Sequence, residues 1–217
     1  MATYEQVLER LAQAVLDGDE VASADLARQA AAAGVAPIAA IEGALIPSIR
    51  RAGGLWETGE YFLPELVTAA QAMKAGMAVF RPLLAGGRGD YTVGRVVIGT
   101  VKGDIHDIGK TLVATILEAN GFEIIDEGVG VPVERFVARA RELGADLVCA
   151  SALLTTTMVQ QRELVRAVRA AGLSTAVMVG GAPVTEEWAR EIGADGFADS
   201  AVAATAVARR LVGRDDR

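Results

Sequence analysis

The alternation of short apolar runs and helical stretches after residue 93 limits the fold of this chain most. Five apolar runs recur there: 96–98, 122–125, 147–150, 176–179 and 196–198. Helical spacing fills the gaps near 108–120, 133–143, 157–171, 185–192 and 201–212. Continuous apolar strands that alternate with helices are typical of a parallel sheet covered on both faces. We therefore expect a flavodoxin-like (Rossmann-like) α/β domain with a five-stranded parallel sheet.

The first 88 residues follow a different pattern, in which apolar residues recur every three or four positions. This spacing predicts helices over about 4–17 and 20–33, from Pro37 to the pair Gly53-Gly54, and from Pro64 to about Leu84. Short loops between them favour a compact four-helix unit. The Gly-rich polar stretch 85–93 is the expected linker. The predicted domains are thus an all-α four-helix cap domain at 1–88 and an α/β domain at 89–217.

Charge and hydropathy exclude several classes of protein. The net charge of −7 argues against a protein that tracks nucleic-acid phosphates, because such a protein needs a basic face. No apolar run approaches the roughly 20 residues that span a bilayer. The chain opens on an amphipathic pattern rather than a signal peptide. We expect a cytoplasmic protein whose partners include neither nucleic acid nor membrane.

The chain has one histidine and one cysteine. Cys149 lies in an apolar run and is predicted to be a buried thiol. The two residues are far apart in sequence, so a closed zinc site of the usual Cys and His ligands is excluded for the monomer. If a transition metal is held through nitrogen, His106 must hold it, and the other coordination positions must come from elsewhere.

His106 lies in the loop 101–110, directly after the first predicted strand. Open α/β sheets bind ligands beyond the carboxyl ends of their strands, so this loop is the best place the fold offers for a ligand. Asp104 is two residues earlier, close enough to accept a hydrogen bond from the other ring nitrogen. A histidine that ligates a metal usually has such a carboxylate behind it.

A long-range pattern gives this loop a more specific meaning. Asp104-x-His106-x-x-Gly109 is followed after 41 residues by Ser151-x-Leu153, and after a further 26 residues by a Gly-Gly pair at 180–181. The combination resembles cobalamin-binding domains with a displaced base, as in cobalamin-dependent methionine synthase and the small corrinoid proteins of methyltransferase systems. The segment 55–66, Leu-Trp-Glu-Thr-Gly-Glu-Tyr-Phe-Leu-Pro-Glu-Leu, extends the resemblance to the helical half.

The resemblance implies a cobalamin cofactor whose cobalt is ligated by His106 in place of the cofactor's own dimethylbenzimidazole. The displaced nucleotide tail would then enter a slot lined by small residues, with hydroxyls nearby for its polar atoms. The residues implied at the cofactor are Gly103, Asp104, Ile105, His106, Asp107, Gly109, Ser151, Leu153, Thr155, Gly180, Gly181 and Ala201.

The resemblance also implies a proton relay behind His106, formed by Asp104 and Thr157. Serine is the hydroxyl residue at the latter position in methionine synthase, so the threonine is a departure that keeps the hydroxyl. Trp56 and Leu63 correspond to residues that cover the upper face of the cobalt. The family often has Phe where this chain has Trp56, and ordinary packing in the helical core is the alternative interpretation of that residue.

The implied function is that of a methyl carrier in a methyltransferase system rather than a catalyst on its own. Cobalt would alternate between Co(I) and methyl-Co(III), one methyltransferase delivering the methyl group and a second removing it, with a reductive activase as a further partner. When cobalt is in the Co(I) state, His106 is expected to dissociate from it and the relay to take up a proton. The linker 85–93 is the expected hinge on which the helical cap moves aside for each partner. The methyl donor stays open among methanol, methylamines, glycine betaine and aryl methyl ethers.

Three other classes of protein share parts of this pattern. A cobalamin-sensing or cobalamin-transfer protein without a methyl-carrier role is the alternative; a sensing regulator should also carry a DNA-binding domain, and no basic helix-turn-helix is recognisable. A phosphorelay receiver needs an aspartate where the third strand ends in Ala150-Ser151. A hydrolase would need a Gly-x-Ser-x-Gly elbow, which the sequence lacks.

Overall fold

The computed structural model describes residues 4–83 and 92–213. Contacts between Cα atoms divide the chain into two compact units, Met1–Tyr91 and Thr92–Arg217. The domain boundary predicted between residues 88 and 89 lies outside the described residues. So do residues 85–91 of the predicted linker and hinge.

The described part of the first unit is helical. Its elements are α1 (Tyr4–Leu16), α2 (Glu20–Ala32), α3 (Pro37–Ala40), a π-helical turn (Ile41–Leu45), α4 (Ile46–Glu57), α5 (Leu63–Phe80) and a 3-10 turn (Arg81–Leu83). Because α3, the π turn and α4 follow one another without a break, residues 4–83 form four helical rods. This confirms the predicted four-helix cap. The predicted end of the fourth helix, about Leu84, lies outside the described residues.

The third rod continues past its predicted end. Gly53-Gly54 was expected to end the helix, but α4 continues to Glu57. Gly53 is buried within it, so packing offsets the roughly 0.5–1 kcal/mol that a glycine costs inside a helix. Pro47 has no N–H to donate to the preceding turn, and the π-helical turn lies directly before it.

The second unit is a three-layer α/β structure. In chain order its elements are β1 (Arg95–Thr100), α6 (Ile108–Ala119), β2 (Glu123–Asp126), α7 (Val133–Leu143), β3 (Leu147–Ser151), α8 (Val159–Ala170), β4 (Ala176–Gly180), α9 (Glu186–Ile192), β5 (Gly196–Phe197) and α10 (Ala201–Leu211). All strand pairs are parallel, in the order β2-β1-β3-β4-β5. That is the flavodoxin-like order, so the predicted fold is confirmed.

Each face of the sheet has its own apolar core. One face packs against residues of α7, α8 and α9, among them Phe136, Leu164 and Ile192. The other packs against α6 and α10, and it includes Leu117 and the buried thiol of Cys149. Burial raises the pKa of that thiol well above its usual value. With both faces covered, only the ends of the strands are left to bind a ligand.

Strand order reverses between β1 and β3, because the chain leaves β1 towards β2 on one side and reaches β3 on the other. The loops after β1, β2 and β3 therefore meet at the carboxyl edge of the sheet, where doubly wound folds bind ligands. Within residues 4–83 and 92–213, no helix is long and apolar enough to cross a membrane.

Candidate metal-ligating histidine at the carboxyl edge of the sheet

His106 lies in the loop between β1 and α6. Its ring Nδ1 is 2.7 Å from Oδ1 of Asp104, and its backbone N–H donates to the same oxygen at 3.1 Å. The side chain is 47% exposed. Its Nε2 makes no hydrogen bond within the described part of the chain, so one ring nitrogen is held and the other is left for a ligand.

Asp104 is a buried carboxylate that collects hydrogen bonds from two loops. It is 1% exposed, and beyond His106 it accepts from the backbone N–H of Leu153 at 2.7 Å and of Leu154 at 3.3 Å. Burial by itself would raise the pKa of Asp104. The hydrogen bonds from His106, Leu153 and Thr157 outweigh that effect and hold the pKa well below its usual range. The carboxylate is therefore ionised at neutral pH.

The ionised carboxylate decides which nitrogen of His106 carries the proton. Because an ionised Asp104 can only accept, Nδ1 must be the donor in the 2.7 Å contact. In the neutral ring, Nε2 then has a free lone pair, which is the form that binds a metal. Within the described residues no three His, Cys, Asp or Glu side chains are grouped so that they could hold a metal ion.

Thr157 completes the arrangement from the far side of the carboxylate. Its Oγ1 is 2.8 Å from Oδ2 of Asp104 and 2.9 Å from the carbonyl oxygen of Leu154. The residue is buried. The structure thus brings together Asp104, His106 and Thr157 as the sequence comparison implied, and the proton-relay role of this set stays a prediction.

Aliphatic side chains stand exposed around His106. All large apolar side chains that are exposed in the described part of the second unit belong to the loops at the carboxyl edge or to the first turn of the helix that follows. They are Ile105, Ile108, Val129, Leu153, Leu154 and Val159. Ile105 and Ile108 are 79% and 82% exposed. Exposed apolar side chains gathered at one edge of a domain mark a candidate binding surface.

The four glycines implied at the cofactor have different structural reasons. Gly181 has φ +130°, and a Cβ there would lie 1.8 Å from the carbonyl oxygen of Ala152, so backbone packing alone requires glycine. Gly103 has φ +83°, a left-handed conformation that turns the chain into Asp104. At Gly180 a Cβ would lie 3.1 Å from the carbonyl oxygen of Ala198. Only Gly109 has open space around the missing Cβ.

Ser151 ends β3, and Thr155 is exposed in the loop that follows. Within the described part of the chain neither hydroxyl makes a hydrogen bond, which leaves both for a polar ligand. Ala201 is buried at the start of α10. Asp107 precedes α6 and makes no capping hydrogen bond with its side chain.

In the helical unit, Trp56 is half-buried near the end of α4, and Leu63 is 45% exposed at the start of α5. Trp56 is therefore not fully enclosed in the helical core. The implied contact of these two side chains with a cofactor stays a prediction.

Lys110, Asp126 and Gln161 tie together segments near the site and were not singled out from the sequence. The Lys110 side chain is only 3% exposed, and its Nζ pairs with Asp126 at the end of β2. Gln161 is fully buried and donates through Nε2 to the carbonyl oxygens of Ala150 (2.9 Å) and Gly180 (3.1 Å), which ties the ends of β3 and β4 together. No motif marks these residues, although a polar residue on the apolar face of α8 was a usable signal for Gln161.

Both units of the chain are similar to known proteins. Two family models, both described as B12 binding domain, match residues 94–207 and residues 7–81. A corrinoid protein of Desulfitobacterium hafniense is 42% identical over 96% of this chain and 98% of its own length. Trimethylamine corrinoid protein 1 of Methanosarcina acetivorans is 41% identical over 93% of this chain and 94% of its own length.

A solved structure is similar over most of the chain. It is a chain of the methanol:cobalamin methyltransferase complex MtaBC from Methanosarcina barkeri, which superposes with a TM-score of 0.85 at 28% identity. The match covers 96% of this chain and 80% of that one.

Proposed function

This chain belongs to the family of corrinoid proteins with B12 binding domains, and from that premise we propose that it carries a methyl group on cobalamin between two methyltransferases. One observation carries the proposal. A buried, ionised Asp104 holds Nδ1 of His106 at 2.7 Å and leaves Nε2 without a partner in the described chain, at the sheet edge that also carries the exposed aliphatic side chains.

The residues present fit a corrin. When bound, the cofactor would supply the cobalt that carries the methyl group. His106 would hold that cobalt through Nε2, and the exposed aliphatic side chains would shield the site from water. When His106 is not a ligand, Nε2 can take up a proton. The Asp104 carboxylate, which Thr157 holds in place, would keep the ring oriented in this state.

The nucleotide tail is assigned to the carboxyl ends of β1, β3 and β4. Ser151 and Thr155 have hydroxyls free to bond its polar atoms. Gly109 leaves room for the tail beside the start of α6, because nothing lies within 4 Å of the position a Cβ would take. Ala201 is small and buried at the start of α10.

The proposed partners are corrinoid-dependent methyltransferases and a reductive activase that restores the reduced cofactor. The relative named for trimethylamine makes methylated amines the first donors to test. We propose a cytoplasmic location and no role for nucleic acid or membrane, in line with the net charge of −7.

The test is to load the purified full chain with hydroxocobalamin, reduce it without oxygen, and add a 14C-methyl donor with its methyltransferase. Trimethylamine, dimethylamine, methanol, glycine betaine and an aryl methyl ether are tried in turn, each with its enzyme. We expect the label to become bound to the protein-held cofactor with one donor, and to be released when a second methyltransferase and its acceptor are added.

The matched control is His106→Ala, which should lose the absorption spectrum of histidine-ligated cobalamin. If the wild type shows that spectrum but takes up label from no donor, the carrier function is wrong, and a sensing or transfer function fits better. If wild type and His106→Ala give the same spectrum, ligation by His106 is wrong as well.

A further inference from the structure

Thr100, the last residue of β1, lies directly beneath the loop that carries His106. It is fully buried, and its Oγ1 donates to the backbone carbonyl oxygen of His106 at 2.7 Å. Its own N–H donates to Gly128 O at 2.9 Å, and its carbonyl accepts from Val131 N at 2.9 Å. The backbone of Thr100 is therefore held by the segment that follows β2, and this fixes the position of the hydroxyl.

Two side chains hold three of the four polar atoms of His106. Asp104 accepts from the backbone N–H and from Nδ1, and Thr100 donates to the carbonyl oxygen. Only Nε2 is left. Asp104 sets the direction and tautomer of the ring, whereas Thr100 sets the place of the backbone to which the ring is attached.

The hydrogen bonds on either side of His106 leave its carbonyl oxygen to be held by Thr100. The backbone of Asp104 is held on both sides, since its N–H donates to Val101 O at 3.1 Å and its carbonyl accepts from Gly130 N at 2.9 Å. After His106 the next anchor is the start of α6, where Thr111 N donates to Asp107 O at 2.7 Å. Between these anchors, Thr100 is the side chain that fixes the backbone carbonyl of His106.

We propose that Thr100 is a positioning residue for metal ligation: its hydroxyl holds the His106 backbone at the height from which Nε2 reaches the cobalt. The inference rests on the proposed function, because it needs His106 to be the lower ligand. Thr100 touches neither the metal nor the methyl group, and it acts through His106 alone.

The test is Thr100→Val, which removes the hydroxyl and keeps the shape of the side chain. The full chain is loaded with cobalamin and reduced to the cob(II)alamin state. The ratio of histidine-ligated to unligated cofactor is then read from the axial-nitrogen splitting in the EPR spectrum and from visible absorption. A net hydrogen bond of about 0.5–1.5 kcal/mol corresponds to a fall in this ratio of about 2–10-fold. Thr100→Ser, which restores a hydroxyl, should recover the ratio.

Thr175→Val is the matched control. Thr175 is also buried and donates to a backbone carbonyl, Ala145 O at 2.7 Å, but it does so at the amino edge of the sheet. Thr175→Val should lower the free energy of unfolding in urea about as much as Thr100→Val does, and it should keep the wild-type ratio of histidine-ligated to unligated cofactor. If Thr100→Val does not fold, Thr100→Ala takes its place.

The outcomes separate this inference from the function on which it rests. If the wild type is histidine-ligated and the Thr100 variants without a hydroxyl keep the wild-type ratio, or fall no further than Thr175→Val, the inference is wrong and the function stands. If the wild type has no axial nitrogen and matches His106→Ala, the proposed ligation itself is wrong.

Discussion

At the scale of single residues, the site depends on one buried charge. Asp104 is 1% exposed and surrounded by donors, and one of them, the ring of His106, is the group it orients. Such a carboxylate stabilises the fold only while it is ionised. Removing the charge should therefore disturb both the stability of the second unit and the tautomer of His106.

Asp104→Asn should make the free energy of unfolding less dependent on pH in the acid range. The pKa of Asp104 is lowered in the folded state, so its contribution is fully present above its unfolded pKa of about 3.9 and is lost as the pH falls below that value. Between pH 5 and 3, the wild type should lose more unfolding free energy than the variant, with a difference in slope of up to about 1.4 kcal/mol per pH unit. Urea unfolding of the cofactor-free protein measures this.

Asp107→Asn is the control for that measurement, because Asp107 is exposed and makes no side-chain hydrogen bond within the described chain. It should follow the wild-type slope. Equal slopes for wild type and Asp104→Asn would show that Asp104 is not held ionised by its surroundings.

At the scale of elements, the loops position the site and the helices limit the space around it. α6 begins beside His106, and its first turn contains Gly109, where added bulk would meet no protein atom within 4 Å. A helix gains stability when glycine is replaced by alanine. Glycine at this exposed helical position therefore points to a requirement outside the protein's own packing.

Gly109→Ala should stabilise the cofactor-free protein and weaken its binding of cobalamin. We expect a gain of about 0.5–1 kcal/mol in unfolding free energy, because alanine restricts the unfolded chain and favours the helix. The dissociation constant for hydroxocobalamin should rise by about tenfold or more, since a methyl group would occupy volume assigned to the cofactor. Urea unfolding and equilibrium dialysis give the two numbers.

Gly54→Ala is the comparison for stability, because Gly54 also lies in a helix with nothing within 4 Å of the added Cβ. A dissociation constant for Gly109→Ala equal to that of the wild type would remove Gly109 from the cofactor site.

At the scale of the whole molecule, the second unit contains both the predicted metal-ligating residue, His106, and a buried cysteine that can report when this unit unfolds. Cys149, the only cysteine of the chain, is buried at the centre of the sheet in β3. A thiol reagent can reach it only when this unit opens. A ligand that binds the folded unit alone reduces the open population by mass action.

Hydroxocobalamin should therefore slow the labelling of Cys149. At a free concentration about 100 times the dissociation constant, the rate should fall about 100-fold, which corresponds to about 2.7 kcal/mol. The measurement follows absorbance of a disulfide reagent in mild urea, with and without the cofactor. His106→Ala should show less protection at the same concentration, and a rate unchanged by saturating cofactor would place binding outside this unit.

The sequence alone determined the elements of both units and the position of the candidate ligand. Periodicity is a local property, so the five strands, their helices and the four helical rods could be read from short windows. The loop with Asp104 and His106 could be placed because one chemically distinctive pair follows a strand. Local pattern failed at Gly53-Gly54, where the helix was expected to end and instead continues to Glu57 with Gly53 buried.

Only the tertiary structure decided which groups hold the site in place. The backbone N–H groups of Leu153 and Leu154 reach Asp104 across about 50 residues of sequence because β1 and β3 are neighbours in the sheet, whereas the contact with Thr157 had been implied by the family resemblance. Thr100 beneath His106 and Lys110 beside Asp126 likewise depend on strand order and register. Hydrogen-bond partners are set by distance in space, which the spacing of residues along a chain does not contain.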